Sequence, residues 1–221
     1  MQFFPIWSSN QNGLGRVFDQ SGVFSALLVI ATLTSMPALA ADRQCQITNT
    51  SNGSATLIRD GETLRDPIGL SIQQGDKLRK SASAQISISC SDGGEITIGR
   101  ASEVDLGALI AAPVGENRVF QILRGIAGFV MPGEAAPVEV KTLNAVASVR
   151  STEWTVEIEG DVTHVFVREG LVQVTGNSGQ TVPLSDGEGV SVLADGTLGP
   201  VDAWGQDRIA AMKARLGGDW R

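Results

Sequence analysis

The sequence predicts an all-β protein, a compact sandwich or short β-solenoid of many short strands with a C-terminal helix. Three observations carry this: apolar and polar side chains alternate through most of the chain, turn dipeptides recur at short intervals, and no long helical pattern precedes residue 200. Alternation is clearest in Ile86-Ile88-Cys90, Ile96-Ile98, Val138-Val140, Trp154-Val156-Ile158, Val182-Leu184 and Val190-Val192. Side chains two apart in a strand share a face, so each run marks a half-buried strand. Asp60-Gly61, Gln74-Gly75-Asp76, Asp92-Gly93-Gly94, Gly160-Asp161, Gly176-Asn177, Asp186-Gly187 and Asp195-Gly196 supply the turns.

Residues 1–40 read as a targeting segment. Val23 to Leu33 is a near-apolar run, followed by Ser35, Pro37 and the small-x-small site Ala38-Leu39-Ala40, so cleavage is expected after Ala40. The run is well short of the ~20 apolar residues that a membrane-spanning helix needs, and stable insertion after cleavage is not expected. Arg16 is the one basic residue ahead of it, offset by Asp19, and Cys45 stands too far beyond Ala40 for a lipid-attachment site.

Residues 41–200 then form one β-domain, with halves at about 41–110 and 118–200 joined through 107–117, where Ala111, Ala112, Pro113 and Gly115 cluster. A second break runs from Pro132 to Pro137. Leu123-Arg124-Gly125-Ile126-Ala127 echoes Arg168-Glu169-Gly170-Leu171-Val172, and Gln74 to Leu78 echoes Asp186 to Val190. Two echoes are too few for a repeat array; they support a repeated strand unit and fit turn chemistry used twice equally well. Residues 201–221 read as the helix, with Asp202 as N-cap, Ile209, Met212 and Leu216 on one face and Gly217 as the stop; the apolar stripe is expected to pack on the sheet.

The formal net charge of −7, with basic residues scattered, argues against nucleic acid or an anionic membrane surface as partner. Cys45 and Cys90 each sit on the apolar face of a strand, Cys45 with Ile47 and Cys90 with Ile86 and Ile88. Both therefore point inward, and an exported compartment favours a disulfide between them. Closing a loop of this length contributes roughly 4 kcal/mol in the chain-entropy model.

A further set of residues carries a resemblance. In order they are Thr142, Val149-Arg150-Ser151-Thr152, the strand Trp154 to Ile158, Val167-Arg168-Glu169-Gly170-Leu171-Val172, then Leu184 and Gly187; upstream stand Leu64, Ile72, Gly75-Asp76, Ile86 to Cys90, Asp92-Gly93 and Ile96 to Gly99. This order resembles the FecR-domain family over nearly all of the chain beyond residue 40. The resemblance implies a periplasmic regulatory β-domain that, in full-length members, receives a signal from an outer-membrane transporter and passes it through a membrane helix to a cytoplasmic sigma factor. Too few residues precede Val23 for the helical sigma-binding domain, so the β-domain and its interaction role are what carry over.

Ser151 stands where the family has glycine. Ala145, Ala147 and Val149 face the core on odd numbers and Trp154, Val156 and Ile158 on even ones, so the chain is expected to bulge or bend between Val149 and Trp154. Arg150 and Glu169 are charged residues in otherwise apolar, motif-bearing strands, and a cross-strand pair between them is expected to fix register.

No catalytic, cofactor or metal site is expected. His164 is the one histidine and lies in the alternating strand Val162 to Arg168, where an imidazole serves packing or surface. Glu153, Glu157, Glu159 and Asp161 read as a solvated outer face opposite Trp154, without the ligand spacing of a calcium loop. The function read from the sequence is an exported, non-enzymatic sensing or interaction module in the periplasm or secreted. It would dock on another envelope protein, a membrane regulator or transporter, through an exposed strand edge. Two alternatives are a structural or cell-wall glycan-binding β-protein, disfavoured by scarce aromatics and an inward Trp154, and a secreted hydrolase.

Overall fold

The computed structural model describes residues 44–51, 54–80, 85–110, 117–133, 137–149, 152–218 and 220. The targeting segment expected over residues 1–40 lies outside them. Strands numbered in chain order form two sheets that share one long strand. Sheet A runs β1 (Cys45–Ser51), β5 (Gln85–Cys90), β6 (Glu95–Ile98), the second half of β8 (Arg118–Met131), β11 (Thr152–Glu159), β12 (Val162–Glu169), β15 (Glu188–Val192) and β16 (Asp202–Ala203). Sheet B runs β3 (Glu62–Arg65), β2 (Ala55–Arg59), β4 (Lys77–Lys80), β7 (Glu103–Asp105), the first half of β8, β9 (Val138–Lys141), β10 (Ala145–Val149), β13 (Val172–Gly176) and β14 (Thr181–Leu184). Every neighbouring pair is antiparallel except β8 with β9. The all-β class read from the alternation is what the chain adopts.

The sheets face each other across one core. Phe120, on the sheet B half of β8, meets Phe129, on the sheet A half, edge-on at 5.1 Å, and Phe129 stacks on Trp154 at 4.8 Å. Burial alternates as the sequence pattern requires: Ile86, Ile88 and Cys90 are buried in β5, and Ala145, Ala147 and Val149 in β10. Sandwich and solenoid prove to be one arrangement. Hairpins β9–β10, β11–β12, β13–β14 and β15–β16 go alternately to sheets B, A, B and A, and β10 pairs β13 while β12 pairs β15. The chain coils, and successive coils zip into both layers.

The sequence echo marks where the chain changes layer. Gly125 (φ 87°) lies between the two halves of β8, and Gly170 (φ 102°) between β12 and β13, both in the left-handed region that side-chain-bearing residues avoid. The bend expected after Val149 is a third crossing, because β10 ends there in sheet B and β11 begins at Thr152 in sheet A. Arg150 and Ser151 lie outside the described residues. The expected mid-chain connection opens with one helical turn, α1 (Gly107–Ile110).

Three cross-links fix the strands, one within each sheet and one between them. Cys45 and Cys90 are directly opposite in β1 and β5 and form a disulfide. Asp76, fully buried, accepts hydrogen bonds from Arg59 Nε and Nη2 at 2.9 and 2.7 Å and from the Gln73 N–H at 2.8 Å. That bonding holds the Arg59 guanidinium above its ordinary pKa. Asn144, 3 % exposed, donates its amide to the carbonyls of Asp161, Val192 and Leu193 and accepts from the Thr142 and Thr163 hydroxyls.

The C-terminal helix, α2 (Gln206–Leu216), lies on the outer face of sheet A with Met212 and Leu216 buried and Gly217 as its C-cap. Its N-cap is Gly205 and not Asp202. Asp202 and Ala203 are drawn into β16 against β15, and the Trp204 N–H donates to the Gly187 carbonyl, so the chain stays extended until Gly205.

This helix overturns the solvated reading at Glu157, while Glu159 and Asp161 are exposed as expected. Glu157 is only 5 % exposed and pairs with Arg215, in two contacts of 2.5 and 2.6 Å, because α2 covers its face. Burial raises the Glu157 pKa, opposed by the neighbouring Arg215 charge.

Candidate functional site

The outer face of sheet A divides into an open part and a covered part. Register places Glu95, Val130, Glu153 and Glu169 in one row straight across β6, β8, β11 and β12. They floor a cleft of about 290 Å³, rimmed by Pro132 and Thr152. Like charges directly opposite, as at Glu153 and Glu169, are disfavoured, and a bulge relieves the contact. Glu153 faces Glu169 while Trp154 already faces Val167, so Arg168 is the extra residue, and its guanidinium pairs with Glu153. Glu169 is left exposed to the cleft.

The family-like motif residues gather where the chain crosses between layers. Val149 pairs with Val172 across β10 and β13, the Thr152 hydroxyl donates to the Leu171 carbonyl at 3.3 Å, and the Gly170 N–H donates to Asp186 Oδ1 at 2.7 Å. The expected Arg150–Glu169 pair falls on an arginine outside the described residues. Below the cleft lies a residue that the sequence reading passed over. Arg118, fully buried at the start of β8, reaches Asp92 in the β5–β6 turn at 2.9 Å and ties sheet B to sheet A. Parity was the available signal, since Arg118 alternates with the inward Phe120 and Ile122.

His164 lies under the covered part. Its Nδ1 is 2.8 Å from the Ser191 hydroxyl and 3.4 Å from Arg208 Nη2, and its Nε2 is 3.8 Å from Glu159. Burial, together with the Arg208 charge, lowers its pKa. Trp154 is fully buried, as expected, and Trp204 and Trp220 are buried against the outer face. Among the described residues no group of three or more His, Cys, Asp or Glu side chains is placed to hold a metal ion. Nor is any helix among them long and apolar enough to cross a membrane.

The sheet edges differ in accessibility. The outer side of β1 is occupied, since Ile47 N–H donates to Leu70, Gly69 N–H to Ile47 and Ile72 N–H to Cys45. β14 carries Pro183, which cannot donate, and β16 has only two residues. Among the described residues β3 is the open edge. The two-residue Asp60-Gly61 turn pairs Arg59 with Glu62 and Leu57 with Leu64, which leaves the main-chain groups of Thr63 and Arg65 facing outward.

The segment from the buried Asp76 to β13, which holds the crossings at Gly125 and Gly170, is the part of the chain that matches a known family. Residues 76–173 match the FecR protein family. The resemblance read from the sequence is shown over that region, which contains the Val149 crossing, Thr152, Glu169 and Gly170. Two crystal structures of candidate anti-sigma factors from Parabacteroides distasonis ATCC 8503 are similar to the chain. One, at 2.50 Å, has a TM-score of 0.46 and 22 % identity over 55 % of this chain and 56 % of its own. The other, at 1.65 Å, has a TM-score of 0.46 and 20 % identity over 64 % of this chain and 62 % of its own. The FecR-like chain thus spans less than two thirds of either, and an overlap this loose leaves the anti-sigma role with those proteins. No curated protein matches it.

Proposed function

We propose that this protein is an exported, non-enzymatic interaction module of the FecR type that docks on another envelope protein, a membrane regulator or transporter. The FecR match over residues 76–173 carries the reading. Its disulfide fits an oxidising compartment beyond the cytoplasm. The β3 edge offers the main chain a place to pair, because Glu62 to Arg65 are half-buried or exposed and no strand among the described residues covers their outward groups. Crosslinking in intact cells, followed by purification from the envelope fraction, tests this. Recovery of a membrane regulator or transporter is expected. Recovery of murein fragments alone would transfer the function to glycan binding.

A further inference from the structure

The segment from Trp204 through α2 to Trp220 is built as a strap. Two tryptophans peg it down at glycines: a Cβ on Gly189 would lie 2.1 Å from Trp204 Nε1, and one on Gly128 would lie 2.5 Å from Trp220 Nε1. Trp204 also stacks on Phe166 at 4.8 Å, with the Arg208 guanidinium 3.7 Å from its ring centre. At the far end the Arg100 N–H caps the Arg215 carbonyl at 3.1 Å. The attachment is nonetheless light. Met212 and Leu216 are the buried residues of α2, and both indole N–H groups are buried with no hydrogen-bond partner among the described residues, a cost of about 1–3 kcal/mol each.

His164 sits under the strap with cations above it. Facing it are Arg208 and Arg215 from α2, Glu157 and Glu159 from β11, and the Ser191 hydroxyl from β15. Arg208 is within 3.4 Å of the ring, and Arg215 is committed to Glu157. We propose that the Trp204–Trp220 strap is an acid-released cover, loosened when His164 takes up a proton beneath Arg208. Release would bare the apolar stripe of Ile126 and Phe166 beside the open cleft, giving the surface a second state.

Two groups titrate with opposite signs. His164 has a lowered pKa when docked, so its contribution is full above the ordinary imidazole value of ~6.5 and is lost as pH falls toward the docked value. Glu157 has a raised pKa, so its contribution is present below the ordinary carboxylate range and lost as pH rises through the docked value. Acid therefore loosens the strap through His164 first, and Glu157 offsets part of this at lower pH.

The chain has one histidine, so its imidazole resonance can be followed by NMR in the unmodified protein. Hydrogen exchange of the Ile209–Leu216 amides, expressed as protection factors to remove the intrinsic pH effect, is followed on the same samples between pH 7.5 and 5. The expected result is a fall in strap protection that begins near the ordinary imidazole value of ~6.5 and levels off where the docked histidine itself titrates. In His164→Gln the fall should vanish, and in Glu157→Gln it should persist or steepen. Protection in the unmodified chain that does not change with pH, a fall that starts only below the histidine's own midpoint, or an undiminished fall in His164→Gln would overturn the proposal.

Discussion

Replacing Asn144 by alanine tests how much of the fold rests on one buried amide. The side chain shares two N–H groups among the carbonyls of Asp161, Val192 and Leu193, at 3.0, 2.9 and 2.8 Å, and its oxygen accepts from the hydroxyls of Thr142 and Thr163. It thereby joins the β9–β10 turn of sheet B to the β11–β12 turn and the end of β15 in sheet A. Deletion strands several polar groups at a site that is 3 % exposed, each worth about 1–3 kcal/mol where water cannot reach. Some of the carbonyls border solvent, so a total of about 3–5 kcal/mol follows, a large fraction of the ~5–15 kcal/mol of a typical domain. For a domain of this size that is a fall in Tm of about 10 °C. Urea unfolding by tryptophan fluorescence reads it as a lower midpoint at unchanged slope. A loss under about 1 kcal/mol would refute the view that this amide bridges the layers.

Other perturbations probe separate parts of the structure. Asp76→Asn leaves the Arg59 guanidinium facing an amide in a fully buried position and should cost about 3–5 kcal/mol by chemical denaturation, whereas a surface pair would cost under about 1. Reduction of the Cys45–Cys90 disulfide should remove roughly 4 kcal/mol, read as a lower urea midpoint in the presence of a thiol; an unchanged midpoint would mean that β1 is held by its hydrogen bonds alone. Gly189→Ala drives a methyl into the Trp204 indole and should cost about 1–3 kcal/mol, with a red shift in tryptophan emission as the peg lifts; unshifted emission would show that the socket yields.

Strands, the bend after Val149 and the disulfide were legible because they depend on side-chain parity along a single segment. Ile86-Ile88-Cys90 and Trp154-Val156 face inward as their spacing requires, whereas the echo at Gly125 and Gly170 showed a shared motif without showing that the chain changes layer there. What escaped depends on which distant segment covers a face. Glu157 alternates with Trp154 and Val156 as an outer residue should, yet Arg215, 58 positions later, closes over it. Nor could the pairing of Glu153 with Arg168 be read from strand order, because it follows from a one-residue bulge in β12 that local sequence does not announce. Asn144 looks like a loop polar residue until the carbonyls of two other turns converge on it.

Docking through the open β3 edge is tested most directly by a photo-crosslinker at Thr63, compared in intact cells with the same probe in a chain also carrying Leu64→Pro, which breaks the β2–β3 ladder, and with one at the exposed Asp195 on the opposite side of the strand order. An adduct with a membrane regulator or transporter that forms from Thr63, weakens with Leu64→Pro and is absent from Asp195 is the predicted result. Equal labelling from all three, or none from Thr63 while the protein is folded and oxidised in the envelope, would contradict it.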